Sequence, residues 1–290
     1  MPIVKDNISW LIREENHCRL DQRYLSKDIG KFKKITATRF ANLILFHSHV
    51  KHHSEFKIWM EIVNMYRETP APIFNKVGNA IEPIIRFDAC ERFQIKWIEW
   101  DVKKIRYDVF KADPIFSGVP DGEPTNANGE IDYSNNKPIL EIKTTSIDML
   151  QYESTANGLS MMLDEDGYPI VVEPGKKRNE WFDSNGKIAI PLQYKLQLGF
   201  YLNLRKINAG IYAIAFLNPT DYKYPHLFKI EEHEVRYVWL FIDTKEFQKL
   251  MDIAKSWFFK HVKSGISPVM TEEDKIWLSH EMKKMAWVNE

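Results

Sequence analysis

The segment Pro138 to Ser146, with the sequence PILEIKTTS, places two opposite charges inside an apolar run that favours a buried strand. Because side chains alternate between the two faces of a strand, Glu141 and Lys143 share one face. Removing each charge from water costs several kcal/mol in typical proteins, so a buried strand does not keep such a pair without a reason. Either the two residues form a buried ion pair, or they belong to a metal site with a lysine beside it.

A second carboxylate, Asp121, precedes Glu141 by twenty positions (141 − 121 = 20) in the sequence Ser-Gly-Val-Pro-Asp-Gly. The segment from Gly122 to Lys137 is rich in Gly, Pro and Asn, which predicts a hairpin with an elaborated tip. In an antiparallel pair, Asp121 and Glu141 lie side by side.

A third carboxylate, Glu82, lies in the segment Asn75 to Phe93, whose apolar positions predict a helix that faces the core. We place Glu82 near the start of this helix. There it is either a favourable charge at a helix N-terminus or an inward-facing metal ligand.

Three carboxylates and one lysine are compatible with phosphodiester hydrolysis. Carboxylate oxygens are hard ligands that suit Mg²⁺ or Mn²⁺. Such a metal polarises a phosphate oxygen and lowers the pKa of bound water. Lys143 can orient the attacking water and offset charge in the transition state.

The order of these residues resembles the PD-(D/E)xK nuclease superfamily, in the branch that contains RecB and lambda exonuclease. The residues in question are Glu82, Pro120-Asp121, Glu141-x-Lys143 and Gln197-x-x-x-Tyr201. Other motifs resemble the YqaJ-type viral recombinase exonucleases, namely Thr36-Ala-Thr-Arg39, Gly78-Asn-Ala-Ile-Glu-Pro83 and Tyr194-x-x-Gln197. The resemblance extends from about residue 31 to about residue 217.

The resemblance implies an α/β fold with a restriction-endonuclease-like core, in which helices flank a central mixed sheet and further helices are added at both termini. It implies that Mg²⁺, or Mn²⁺ in its place, is bound by Glu82, Asp121, Glu141 and the backbone carbonyl of Ile142. It also implies that Gln197 and Tyr201 join Asp121, Glu141 and Lys143 as catalytic residues and brace the site and the DNA.

The segment from Lys31 to Phe40 predicts a helix start, with Thr36 or Thr38 as the N-cap. Hydroxyl and backbone N–H donors beside several lysines offer an anion site, although a plain helix cap with solvated lysines is the alternative. The resemblance implies that Lys31, Thr38 and Arg39 bind the terminal 5′-phosphate of DNA.

The composition limits the partners and the compartment. The net charge is zero, so a DNA site would be a local patch and not a global basic field. Cys18 and Cys90 fit neither a zinc site nor a disulfide framework, which favours a reducing compartment. The chain lacks an apolar stretch of 18 residues, and its first residues lack the apolar core of a signal peptide. We therefore expect a cytoplasmic protein with no membrane partner.

We expect a single nuclease domain over residues 1–290. Its parts are a core at about 31–217, an insertion at about 150–190 and C-terminal helices at about 244–290. The sequence of the insertion predicts a polar hairpin, and we expect it to act as a lid or a substrate guide. Elsewhere the patterns predict a short helix at Ile8 to Leu20, strands at Trp97 to Val102, Ile105 to Phe110 and Ile115 to Val119, a helix at Pro191 to Ile207 and a strand at Gly210 to Leu217.

Three functions remain open from the sequence. The first is a Mg²⁺-dependent DNA exonuclease that degrades double-stranded ends, 5′ to 3′, in phage-type recombination or DNA repair. The second is a site-specific or structure-specific endonuclease of the same fold, which supercoiled circular DNA would distinguish because it has no ends. The third is a catalytically inactive DNA-binding relative. A single-strand annealing protein as partner and a homo-oligomeric assembly are further open alternatives.

Overall fold

The computed structural model describes residues 5–28, 32–47, 54–67, 72–155 and 158–286. The chain forms two compact units. Unit 1 comprises Met1–Thr69, Phe110–Ser117 and Gln248–Glu290, and unit 2 comprises Pro70–Val109 and Gly118–Phe247. The expectation of one nuclease domain over residues 1–290 stays a prediction.

The helices and strands of the described residues are named in chain order. The helices are α1 Lys5–Ile8, α2 Gln22–Asp28, α3 Ala37–His47, α4 Glu55–Ile62, α5 Pro72–Phe93, α6 Lys176–Asn179, α7 Leu192–Arg205, α8 Pro219–Lys223, α9 Thr244–Trp257 and α10 Glu272–Ala286. The strands are β1 Leu11–Arg13, β2 Cys18–Leu20, β3 Trp97–Ile98, β4 Glu123–Pro124, β5 Ile139–Ser146, β6 Met149–Leu150, β7 Tyr152–Thr155, β8 Gly158–Met161, β9 Val171–Glu173, β10 Ala209–Leu217 and β11 Val235–Phe241.

A mixed sheet in the order β11–β10–β5 lies at the centre of unit 2. β10 pairs antiparallel with β11 and parallel with β5. Every residue of β10 is buried. A continuous apolar run is typical of a strand covered on both faces, and the predicted strand at Gly210 to Leu217 is confirmed.

Helix α5 covers one face of this sheet through residues spaced four apart, which form one stripe along a helix. The stripe is Val77, Ile81, Ile85 and Ala89, and it packs in one cluster with Leu140, Ile142, Ile211 and Ala213. Burying an aliphatic side chain of this size contributes roughly 1.5–3 kcal/mol. The stripe therefore fixes the rotation of α5 and, with it, the direction of the polar residues on the adjoining helix surface.

Helix α7 covers the opposite face. Tyr212 lies between Ile211 and Ala213, which face α5, so its side chain points to the opposite face of the sheet. Its hydroxyl donates to the backbone oxygen of Tyr194 at 2.5 Å. Gly210 lies against Leu198 so closely that an added Cβ would be 2.7 Å from the leucine side chain. Helices thus flank both faces of a mixed sheet, and others lie near both ends of the chain, so the predicted α/β architecture is confirmed.

Two turns in the insertion share one local mechanism. The side chains of Asp164 and Asp183 each accept hydrogen bonds from backbone N–H groups two and four residues further on. Gly167 and Gly186 complete these turns with φ values of 79° and 70°, which glycine adopts without strain. The flanking segments pair antiparallel, as do β6 with β9 and β7 with β8, which confirms the predicted hairpin character.

Unit 1 is built around amphipathic helices. The Ser54 side chain caps α4 by accepting from the Lys57 N–H at 3.2 Å. Helix α4 buries an apolar face that includes Phe56, Trp59 and Met60. Within the described ranges, no helix is both long and apolar enough to cross a membrane.

The predicted secondary structure is wrong in two segments. In place of a helix over Ile8 to Leu20, the chain ends α1 at Ile8 and then forms the β1–β2 hairpin, which the turn bond from the Glu14 N–H to the His17 carbonyl closes at 2.9 Å.

In place of three strands between Trp97 and Val119, the strand β3 covers two residues and turns follow it. The Asp101 carboxylate accepts from the N–H groups of the second and third residues after it, which starts a turn. Arg106 and Tyr107 then have φ values of 57° and 58°, in the left-handed region that a strand does not use.

Candidate active site

Asp121 is held at the edge of β5 by backbone pairing. Gly122 forms an antiparallel bridge with Leu140, with hydrogen bonds of 3.0 and 2.9 Å between their N–H and carbonyl groups. The Asp121 Oδ2 atom accepts from the Ile142 N–H at 2.8 Å. The predicted antiparallel pairing of the two segments is therefore confirmed, and it places Asp121 beside the strand that carries Glu141.

Glu141 and Lys143 contact each other on one face of β5, as strand alternation predicts. Lys143 Nζ donates to Glu141 Oε1 at 2.7 Å. Glu141 is only 4% exposed, and its Oε2 atom has no hydrogen-bond partner among the described residues. Burial, followed by the nearby charge of Asp121, raises the pKa of Glu141 to about 7. A buried carboxylate oxygen without a partner is costly in a fold, and it is a feature that a bound cation would relieve.

Glu82 lies in the middle of α5, because the helix begins at Pro72 and not at the predicted Asn75. The explanation of Glu82 as a charge at a helix N-terminus is therefore wrong. Its side chain is half-buried, and burial together with the charge of Asp121 raises its pKa to about 7. Glu82 also adds to the raised pKa of Glu141. The structure thus brings the three predicted carboxylates into one electrostatic cluster.

The ammonium of Lys143 stays protonated in this cluster. Burial lowers its pKa, but the charges of Glu141 and Asp121 outweigh burial and raise the pKa above its ordinary value. The ring of Tyr194 lies beside it, with the Lys143 Nζ atom 5.4 Å from the ring centroid. Lys143 is thus a fixed positive charge whose position is set by a carboxylate and by an aromatic ring.

Arg86 is a further residue of this cluster that the sequence analysis did not identify. It is only 7% exposed, its Nε donates to the Asp121 carbonyl at 3.2 Å, and its Nη1 atom lies 2.8 Å from Glu99 Oε2. Arg86 lies four residues after Glu82, a spacing that places both on one side of α5. The four-residue spacing from Glu82 is the feature of the sequence that could have identified Arg86.

Gln197 and Tyr201, predicted to brace the site, are both buried on α7. Tyr201 hydrogen-bonds the Val119 backbone, and burial followed by the charges of Glu141 and Asp121 raises its pKa well above the ordinary value. Its ring also lies against Gly118, where an added Cβ would be 2.8 Å from the Tyr201 ring and hydroxyl. Tyr201 therefore holds the backbone that leads to Asp121.

A buried ion pair fixes the chain just after Asp121, and the sequence analysis missed it. Glu123 is 0% exposed and accepts from Arg205 Nε at 2.6 Å and Nη2 at 3.0 Å. It also accepts from the Trp100 indole at 2.9 Å and from the Tyr133 hydroxyl. Because Arg205 lies in the last turn of α7, this network ties β4 to the helix that carries Gln197 and Tyr201.

The carboxylates fit a divalent cation by chemistry, and one oxygen each of Asp121 and Glu141 already accepts a hydrogen bond. In the part of the chain that the structure describes, no group of three or more His, Cys, Asp or Glu side chains is arranged to hold a metal ion as it stands. Asp121 accepts from the Ile142 N–H and Glu141 accepts from Lys143. The metal ligand set, including the Ile142 carbonyl, stays a prediction.

The residues predicted to bind the 5′-phosphate belong to unit 1. Thr36 caps α3 by accepting from the Arg39 N–H at 3.4 Å, so the exposed Thr38 lies in the first turn. Arg39 is engaged by Glu61 Oε2 at 2.9 Å and by the Lys34 carbonyl at 3.1 Å. Lys31 lies outside the described residues. The phosphate-binding role of these residues stays a prediction.

The comparisons with known proteins identify relatives in mycoplasmas. No protein-family model matches the chain. It is 42% identical over 264 residues to "Uncharacterized protein MG373" of Mycoplasma genitalium, covering 91% of this chain and 93% of that protein. It is 38% identical over 264 residues to the MG373 homolog of Mycoplasma pneumoniae, with the same coverage of 91% and 93%.

Among solved structures, the chain is similar to an alkaline exonuclease from Laribacter hongkongensis. The match covers 91% of this chain and 99% of that one, at a TM-score of 0.45 and 12% identity. A likeness this weak carries no argument about the activity of this chain.

Proposed function

This chain belongs to the family of the mycoplasma protein MG373, and we propose that it is a metal-dependent nuclease that hydrolyses DNA. The observation that carries the proposal is the buried Glu141, which has one oxygen paired with Lys143 and the other without a partner among the described residues. Asp121 and Glu82 lie close enough for their charges to raise its pKa.

A purely structural ion pair accounts less well for this cluster. One lysine neutralises one carboxylate, but Lys143 faces the charges of both Glu141 and Asp121, and Glu82 adds a third. Arg86 supplies another positive charge, although its guanidinium is shared with Glu99. Several partly buried carboxylates are unfavourable together unless a cation accompanies them. A site for Mg²⁺ or Mn²⁺ supplies that cation.

The residues that would hold the metal are Glu82, Asp121, Glu141 and the Ile142 carbonyl. When bound there, the ion would polarise a phosphate oxygen and lower the pKa of a bound water. Glu141 would offer its Oε2 atom, which has no partner among the described residues, and keep its Oε1 atom on Lys143.

The chain's own groups supply position and charge. Lys143, kept protonated by its carboxylate neighbours, would orient the attacking water and offset the negative charge that develops on the phosphate. Tyr201 fixes the backbone before Asp121 through Gly118 and Val119. Such positioning matters because misplacing a reacting group by about 1 Å can cost about 10²-fold in rate.

The finer proposal is an exonuclease that degrades double-stranded ends in the 5′ to 3′ direction, in recombination or repair. Its support is the order of motifs, which resembles the lambda-exonuclease branch of the PD-(D/E)xK superfamily: Glu82, Pro120-Asp121, Glu141-x-Lys143 and Gln197-x-x-x-Tyr201. The Thr36-Ala-Thr-Arg39 motif extends that order to the segment proposed to grip the DNA end.

The proposal is tested by two substitutions in the site and one outside it. Asp121→Asn and Lys143→Ala are each expected to lower cleavage of linear duplex DNA by roughly 10²–10³-fold, because each removes charge used in the transition state. Glu153→Gln, which changes an exposed carboxylate of the insertion, is the matched control and is expected to cleave normally. Cleavage near the wild-type rate by a folded Asp121 or Lys143 variant would contradict the assignment.

A further inference from the structure

The ring of Tyr194 contacts two residues from different parts of unit 2. Lys143 Nζ lies 5.4 Å from its centroid. The indole of Trp181 stacks on the same ring, with centroids 5.4 Å apart and planes inclined by 12°. Trp181 belongs to the insertion at about 150–190, and Tyr194 lies in the first turn of α7. A chain of contacts therefore leads from the insertion to the lysine of the proposed site.

The backbone of Tyr194 is fixed independently of its ring. Its carbonyl accepts from the Tyr212 hydroxyl at 2.5 Å. Tyr212 lies opposite Glu141 in the parallel register of β10 and β5. This bond holds the backbone of Tyr194, and the stack with Trp181 orients its ring.

Trp181 belongs to a segment of the insertion that is bonded to the central sheet. It is 5% exposed and lies edge-on to Phe216 of β10 at 6.4 Å. Just before it, the Arg178 N–H donates to the Ile147 carbonyl at 2.9 Å, and the Arg178 guanidinium donates to Glu234 at 2.5 and 3.1 Å. This part of the insertion is thus anchored to the end of β5, to β10 and to the residue before β11.

We infer that the insertion is a working part of the proposed nuclease site, in which Trp181 holds the ring of Tyr194 against the Lys143 ammonium and so keeps that ammonium directed at Glu141 and the scissile phosphate. Trp181 and Tyr194 are positioning residues, because they act through Lys143 and do not touch the reacting atoms. The inference rests on the proposed function, since it assigns a role in that reaction.

The first test compares aromatic and aliphatic replacements. Trp181→Leu and Tyr194→Leu are expected to lower kcat by roughly 3- to 30-fold with little change in KM. This fold-change corresponds to the free energy of a cation–π contact, from an exposed one at the low end to a desolvated one at the high end. Trp181→Phe and Tyr194→Phe keep a ring and are expected to retain most of the rate. Val172→Ala, at a half-exposed residue of the same insertion, is the control. Equal losses in the leucine and phenylalanine variants would overturn the inference.

The second test asks whether Trp181 acts through Lys143. In a Lys143→Ala background, Trp181→Leu is expected to cause no further loss of single-turnover rate, because the ammonium that it positions is already gone. A further loss equal to that in the wild-type background would overturn the inference.

The third test does not depend on cleavage. The unfolding midpoints of Tyr194→Leu, Lys143→Ala and the double variant are expected to be non-additive, because the two side chains touch. Additive shifts would overturn the contact itself. If the wild-type chain cleaves no DNA, the proposed function fails, while this unfolding cycle still decides whether the Tyr194 ring contacts Lys143.

Discussion

Replacing Arg205 with Met is expected to destabilise unit 2 strongly, because it leaves a fully buried charge without its partner. Glu123 is 0% exposed, and its carboxylate accepts two hydrogen bonds from Arg205, at 2.6 and 3.0 Å. The Trp100 and Tyr133 donors would remain, but both are neutral. Methionine preserves much of the aliphatic length of arginine, so the lost charge and hydrogen bonds dominate the effect.

The expected magnitude follows from the burial of Glu123. Removing one partner of a buried ion pair typically costs about 3–5 kcal/mol. For a folding unit of this size, each kcal/mol shifts Tm by roughly 2–4 °C, so the expected loss is about 6–20 °C. Urea denaturation followed by circular dichroism measures the free energy of unfolding, and a thermal scan measures Tm.

Two controls make this prediction sharp. Arg236→Met removes an arginine that is 52% exposed and lies 2.7 Å from Glu234, and such exposed pairs contribute about 0–1 kcal/mol. The double variant Glu123→Leu with Arg205→Met removes both charges and is expected to recover much of the lost stability. If Arg205→Met is as mild as Arg236→Met, the buried network does not hold β4 to α7 in the way described.

The remaining predictions concern the site itself. Gly118→Ala is expected to cost roughly 1–3 kcal/mol and to lower cleavage, since its Cβ would lie 2.8 Å from Tyr201, and an unchanged unfolding midpoint would refute that packing. Raised pKa values of about 7 for Glu82 and Glu141 mean that the folded state binds more protons than the unfolded state. The free energy of unfolding in metal-free buffer should therefore fall as pH rises from 4.5 through about 7, and less so in Glu141→Gln, whereas identical profiles would refute the assignment. Thr38→Ala is expected to abolish faster digestion of 5′-phosphorylated ends over 5′-hydroxyl ends, and a preference that survives the change would remove Thr38 from the phosphate site.

Local patterns predicted the elements whose side chains obey one clear period. Strand alternation placed Glu141 and Lys143 on one face, and the glycine- and asparagine-rich segment after Asp121 predicted the antiparallel return to β5. The uniform apolar run from Gly210 to Leu217 predicted a strand, and every residue of β10 is buried. These features depend on near neighbours in sequence, which is why they could be predicted.

Contacts between distant residues could not be predicted in this way. Glu123 and Arg205 are 82 positions apart, and nothing near either residue indicates the partner. The stack of Trp181 on Tyr194 likewise joins the insertion to α7. Between Trp97 and Val119 the apolar content favoured strands, but the capping aspartate Asp101 and left-handed residues produced turns.

The central claim is that this chain cleaves DNA with the help of a divalent metal at Glu82, Asp121 and Glu141. The most direct measurement incubates the wild-type chain with end-labelled linear duplex DNA and with supercoiled circular DNA, each with Mg²⁺ and with a chelator. We expect labelled nucleotides to be released from the linear duplex only when Mg²⁺ is present, while the supercoiled circle stays intact. Failure to cleave either DNA with Mg²⁺ or Mn²⁺ would contradict the nuclease assignment, and cleavage that the chelator does not diminish would contradict the role of the metal.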